Sequence, residues 1–215
     1  MQKSQIAFSL VHQVSQPKRR GKTKPPLIVL LHGIGADEFD LFELAPMFDP
    51  RCVVVSARAP LEWATGFAWF NIALDGTEFR YDLAEIKVSR DLITRFVGEC
   101  LNAYEADPER VFLVGFSQGA MMAANVGAHH AGLTRGIVAM SGAMLPAPEL
   151  IAPITLDALV LHGTADMVVP IARGRDLRDK LTSLGASVAY YEYPMRHEIT
   201  GESFEQAQTW IAERL

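Results

Sequence analysis

Cysteine is scarce. The 215 residues contain two, Cys52 and Cys100. A pair in a chain this long is no disulfide framework, and neither has the spaced His or Cys partner that a zinc site needs. Both read as reduced, buried and structural. Long hydrophobic runs are missing too. No apolar stretch reaches the ~18 residues of a membrane span, so stable membrane insertion is not expected. The first residues, MQKSQIAFSLVHQVSQ, lack a continuous apolar segment and a small-residue cleavage site, and are not read as a signal peptide. Charge of one sign is not concentrated either. The net charge is −5, whereas a nucleic-acid partner would call for a basic stripe. The one basic cluster, KRRGKTK from Lys18 to Lys24, lies between two apolar runs and reads as a solvated hairpin loop. The expectation is a soluble, cytoplasmic protein.

What is present fits that expectation. A hydrophobic share of 49% with 21% charged residues is ordinary for a globular chain. One domain spanning residues 1–215 would bury roughly 70% of its unfolded surface, enough for a full core. Short apolar runs recur at Leu27–Leu31, Cys52–Ser56, Val111–Val114, Ile137–Met140, Ala158–Leu161 and Val188–Tyr193. Most are continuous, as in strands covered on both faces of a parallel sheet. Ile6–Val14 alternates, which suits an antiparallel edge strand paired with Leu27–Leu31. Helical spacing marks Ser89–Tyr104, Ser117–His130, Arg173–Leu184 (with Gly185 as C-cap) and Phe204–Leu215. Strands alternating with helices predict an α/β fold with a mostly parallel sheet. Ala57–Leu83, rich in glycine and aromatics, reads as a long surface loop.

The chemistry centres on Gly115-Phe116-Ser117-Gln118-Gly119. A serine hydroxyl is a weak nucleophile and needs a base, a group that orients the base, and donors for an oxyanion. The G-x-S-x-G pattern between an apolar run and a helix is the sequence of a nucleophile elbow, in which a sharp turn exposes the hydroxyl. The bland alternative is a helix-capping serine. A nucleophile of this type is followed in the chain by an acid and then a histidine. Asp166 follows Ala158–Leu161, and His197 follows Val188–Tyr193, both at strand carboxyl ends, where open α/β sheets place ligands. Ser117, Asp166 and His197 are therefore the expected catalytic residues. His162, His129, His130, His12, Ser141 and Asp157 are weaker competitors: Asp157 precedes its strand, and Ser141 lacks the glycine before it. The backbone N–H of Gln118 is the first expected oxyanion donor. That of Ile34, in the tight loop HGIGAD, is the second. As a phosphate cradle this loop lacks the glycine patterns of nucleotide sites.

Together, LLHGIGAD, RAP with WF, GFSQGA, HGTADMVVP and HEIT resemble the phospholipase/carboxylesterase family, which includes acyl-protein thioesterases and bacterial carboxylesterases. The resemblance runs from Leu30 to Thr200. It implies an α/β-hydrolase fold with neither metal nor organic cofactor, and it carries over Ser117, Asp166 and His197 as the triad with Ile34 and Gln118 as oxyanion donors. Two departures touch the substrate face. The family usually has glycine before the histidine, where this chain has Arg196, and the region between Phe70 and Ser89 looks shortened. Arg196 is expected at negative φ with its side chain away from the Ser117–His197 contact. Residues 141–157 leave no room for a separate cap domain, so the cleft should be open. Trp69, Met144, Leu145 and Met167 are expected to line it against an acyl group. The reading is a serine esterase for small-molecule ester or acyl substrates. Acyl-protein thioesterase or lysophospholipase activity is the near alternative. A catalytically inactive binding module and a nucleotide-binding doubly wound protein are the distant ones. The oligomeric state stays open, a homodimer included.

Overall fold

The computed structural model describes residues 7–19, 21–75, 78–130, 132–147, 149–150 and 152–215. Ile6, Arg20 and Pro148, on which parts of the expectations above fall, lie outside them. In chain order the elements are β1 (His12–Ser15), β2 (Leu27–Leu31), a 3-10 helix (Leu41–Met47), β3 (Val53–Ala57), β4 (Leu61–Trp63), β5 (Gly66–Ala68), β6 (Ile72–Asp75) and β7 (Glu78–Tyr81). Then follow α1 (Leu83–Ala103), β8 (Val111–Phe116), α2 (Gln118–His129), β9 (Gly136–Met140), β10 (Asp157–Gly163), α3 (Ile171–Ser183), β11 (Ser187–Tyr193) and α4 (Gly201–Ala212). The main sheet has the order β1-β3-β2-β8-β9-β10-β11. Every pairing in it is parallel except β1 with β3. With helices on its faces and no helix inserted between β9 and β10 among the described residues, this is an α/β-hydrolase sheet without a separate cap.

β2 shows why continuous apolar runs build such a sheet. Successive side chains point to opposite faces, and both faces are dry. Leu27, Val29 and Leu31 pack with Ile93 and Phe96 of α1 and Met122 of α2. Ile28 and Leu30 pack on the other side with Leu41, Phe204 and Trp210, from the 3-10 helix and α4. Among the described residues no helix is long and apolar enough to cross a membrane.

Three expectations need correction. The N-terminal edge strand is His12–Ser15, and it pairs with β3, with Gln13 opposite Ser56, not with β2. Both edges of β2 are taken by parallel neighbours, β3 and β8, so the alternating strand goes to the free edge of β3. Ala57–Leu83 is no simple surface loop. It folds into two hairpins, β4–β5 and β6–β7, and Ala68, Trp69 and Phe70 are fully buried. Helix α1 starts at Leu83, ahead of the expected Ser89, because Asp82 caps it by accepting from the Ala84 and Glu85 N–H groups at 2.9 and 3.1 Å.

The junction of β8 with α2 is the tightest in the sheet. A Cβ on Gly119 would lie 1.9 Å from the Leu31 carbonyl oxygen, and one on Gly115 would lie 2.2 Å from that of Gly119. Both neighbours are backbone, which cannot swing aside. Gly119→Ala should therefore destabilise the fold by about 1–3 kcal/mol or more, as overpacking does. An unchanged urea midpoint would show that the approach is looser than this.

Candidate active site

Ser117 occupies the corner between β8 and α2. Its φ of 53° and ψ of −117° are rare for a residue with a side chain and cost about 1–3 kcal/mol. The surroundings enforce them. The Ser117 N–H donates to Met140 at 2.9 Å, and the Ser117 carbonyl accepts from the Met121 N–H at 3.1 Å. Anchored on both sides, the turn aims Oγ away from the sheet, 2.9 Å from His197 Nε2.

His197 Nδ1 lies 2.7 Å from Asp166 Oδ2. Asp166 is buried, and its other oxygen accepts from the N–H groups of Val168 and Val169 at 2.9 and 2.8 Å. A carboxylate that accepts on both oxygens requires the proton on His197 Nδ1. Nε2 is then the acceptor that faces the Ser117 hydroxyl. The two loops are tied together. Thr164 N–H donates to Tyr193 at 2.8 Å and Ala165 N–H to Met195 at 3.1 Å. Gly163 permits this, since a Cβ there would meet the Met195 carbonyl at 2.3 Å. The Phe116 ring flanks His197, with centroids 4.9 Å apart. Arg196 is not among the residues of positive φ and is exposed. Its N–H donates to Glu198 Oε1 at 3.1 Å.

The sequence thus places Ser117, Asp166 and His197 in three loops, and the fold brings them into one hydrogen-bonded row. Of their competitors, three make other contacts. Ser141 is fully buried with no partner for its hydroxyl among the described residues. Asp157 faces Arg135 at 3.3 Å and Arg214 at 3.5 Å. His129 binds the Asn125 carbonyl and Glu149.

The loop with Ile34 is held from several directions. The Gly35 N–H donates to the Phe67 carbonyl at 2.8 Å, and the Phe67 N–H donates back to Ala36 at 2.9 Å. His32 accepts the Ala59 N–H on Nε2 at 3.0 Å, so its proton is on Nδ1, which donates to the Gly33 carbonyl at 2.7 Å. Burial holds the pKa of this imidazole below its ordinary value. Across the site, Gln118 Oε1 accepts the Trp69 N–H and its amide donates to the Phe70 carbonyl, both at 2.7 Å. As the first residue of α2, Gln118 has a backbone N–H with no intrahelical acceptor. The Ile34 N–H likewise has no acceptor among the described residues.

A cavity of about 260 Å³ opens beside Ser117 and Gln118. Ile34, Trp63, Ile72, Tyr81, Met121 and Val169 supply much of its wall, and Arg173 also lines it. None of the four expected wall residues lines it. Trp69 is fully buried and donates its indole N–H to the His32 carbonyl at 3.0 Å. Leu145 is buried, Met144 packs against the core, and Met167 is 90% exposed. The wall comes instead from the two hairpins, from the Ile34 and Asp166 loops, and from Met121. Met121 lies in the first turn of α2, directly after Ser117. No group of three His, Cys, Asp or Glu side chains among the described residues has the geometry to hold a metal ion.

Comparison with known proteins decides the family. Residues 12–215 match the phospholipase/carboxylesterase family. The chain belongs to that family. This phospholipase/carboxylesterase-family hydrolase is 25% identical to the putative hydrolase MhqD of Bacillus subtilis (strain 168), over 90% of its own length and 96% of that protein. It is 26% identical to acyl-protein thioesterase 1 of Mycosarcoma maydis, over 90% and 92%. The crystal structure of esterase PE8 superposes with a TM-score of 0.85 at 28% identity, covering 96% of this chain and 99% of that one.

One ion pair clamps the Ile34 loop in this hydrolase. Arg58 Nε and Nη2 each lie 2.6 Å from a carboxylate oxygen of buried Glu38. These hydrogen bonds hold the Glu38 carboxyl below its usual range. A depressed carboxyl pKa stabilises the fold above the unfolded value and ceases to do so as pH falls through the folded one. Arg58→Met should therefore widen the stability gap to wild type at neutral pH, and the gap should narrow below about pH 4, where the unfolded carboxyl also protonates. Urea midpoints at both pH values check this; a gap that does not change with pH would contradict it.

Proposed function

We propose that this hydrolase is a serine esterase in which Ser117 is the nucleophile, His197 the general base and acid, and Asp166 the group that orients His197. The observation that carries the reading is the row Ser117 Oγ–His197 Nε2–Nδ1–Asp166 Oδ2, at 2.9 and 2.7 Å, opening on an apolar cavity. His197 Nε2 takes the hydroxyl proton as Ser117 Oγ bonds to the carbonyl carbon of the substrate. The backbone N–H groups of Gln118 and Ile34 receive the oxyanion. His197 then gives the proton to the leaving oxygen or sulfur, the bond to the leaving group breaks, and water repeats the sequence to release the acid. Asp166 holds the Nδ1–H tautomer throughout and stabilises the imidazolium.

The substrate we assign is a carboxylic ester with a short acyl group. A cavity of about 260 Å³ falls below the roughly 300–1,000 Å³ that encloses drug-sized ligands, so a fatty chain would extend into solvent. Acyl-protein thioesterase relatives support thioesters as the second reading.

Ser117→Ala should fold and lose ester hydrolysis by on the order of 10⁴–10⁶ in kcat. Retention of a tenth of the activity would remove Ser117 from this role. Asp166→Asn should cost about 10⁴ through the wrong histidine tautomer, and a larger loss in Asp157→Asn would reassign the acid. Over a p-nitrophenyl ester series with a matched acyl thioester, kcat/KM should peak at short chains. A maximum at long chains would refute the size assignment.

A further inference from the structure

Behind Asp166 lies a histidine that this chemistry does not use. His162, close to the end of β10, is fully buried. Its Nε2 lies 2.8 Å from the Val169 carbonyl and 3.5 Å from Asp166 Oδ2. Two oxygens face Nε2, so Nε2 carries the proton and donates. Nδ1 is buried with no hydrogen-bond partner among the described residues. It backs onto Gly174 of α3, where a Cβ would sit 2.3 Å from Nδ1. Nothing there would accept a second proton, and burial holds the pKa of His162 below its ordinary value. The titratable groups that act on it are Asp166, His197 and Glu192 of β11.

Val169 is consequently gripped at both ends of its backbone. Its N–H donates to Asp166 Oδ1 at 2.8 Å, and its carbonyl accepts from His162. We propose, on the basis of the triad reading above, that His162 is a positioning residue: a neutral donor that fixes the Asp166 loop and turns the Oδ2 lone pair toward His197 Nδ1. Neutrality matters. A cation 3.5 Å from Asp166 Oδ2 would compete with the imidazolium that forms on His197. An apolar residue would leave the buried Val169 carbonyl without its His162 partner, which is costly in a dry interior.

The test compares His162→Phe, which keeps a ring and removes the donor, with His162→Gln, which returns an N–H near the Nε2 position. Steady-state kinetics on a neutral ester, the pH dependence of kcat/KM and the low-field proton NMR resonance of His197 Nδ1–H are the readouts. In His162→Phe, kcat should fall about 10–100-fold, the scale on which partners of directly acting groups work, with KM little changed. The acidic limb should move to lower pH, because an Asp166 carboxylate no longer turned toward His197 Nδ1 holds the imidazolium less strongly. The NMR resonance should shift. His162→Gln should restore most of kcat and return the limb. Loosened packing alone would leave His162→Gln as impaired as His162→Phe. That result, or an unmoved limb with full kcat, overturns the assignment. Should His162→Phe fail to fold, Gly174→Ala presses on Nδ1 without removing the donor, and an unaltered resonance and kcat in that folded variant also overturn it. The resonance reports the Asp166–His197 contact whether or not turnover occurs. An active Ser117→Ala enzyme, which would sink the triad reading, is thereby distinguished from failure of this one.

Discussion

The contact between the backbone of α2 and that of β2 governs the rest of the site. With no side chain at residue 119, the helix settles against the Leu31 carbonyl, 1.9 Å from where a Cβ would be. The turn between β8 and α2 then has no room to relax, and Ser117 is held at a φ of 53°. The strain is sustained by a buried sheet that packs on both faces. The same approach brings the first backbone N–H of α2 next to the loop that follows β2. Both proposed oxyanion donors therefore depend on one pair of neighbouring strands.

Around that corner the chain uses polar side chains as braces for backbone. Gln118 acts as a peptide surrogate, accepting from Trp69 and donating to Phe70. Trp69 in turn caps the His32 carbonyl, Ser89 of α1 donates to the Trp69 carbonyl, and His32 fixes Gly33. Buried polar groups are costly when unpaired, so each brace also restricts the loop it touches. A preorganised set of donors needs this kind of restriction, because reorganisation during the reaction would cost part of the stabilisation. On the other side of Ser117, the Asp166 and His197 loops brace each other through Thr164, Ala165 and the bare backbone of Gly163.

The cavity shows the opposite economy. Its wall borrows residues from elements with other duties: Met121 from α2, Val169 from the Asp166 loop, and Trp63, Ile72 and Tyr81 from the hairpins. The wall of the proposed substrate cavity thus depends on two short hairpins whose pairing is local. The first of them also holds the Ile34 loop, through the backbone of Phe67.

Much of this was legible in the chain itself. Continuous apolar runs determined a doubly covered parallel sheet, because residues pointing to both faces must be apolar. Glycines on either side of Ser117, with an aspartate and a histidine after later strands, determined which residues meet, because each lies just past a strand carboxyl end on one edge of the sheet. The lining of the cavity was not legible. Trp69 and Leu145 are as apolar as Trp63 and Met121, and composition does not say which side of a loop faces the core. Only the tertiary structure decided that Trp69 turns inward to the His32 carbonyl, that β1 joins β3 and not β2, and that the aromatic stretch after Ala57 folds into hairpins. For Trp69 and for β1 the deciding factor was a hydrogen-bonding group or a free sheet edge far away in sequence, which no local pattern encodes.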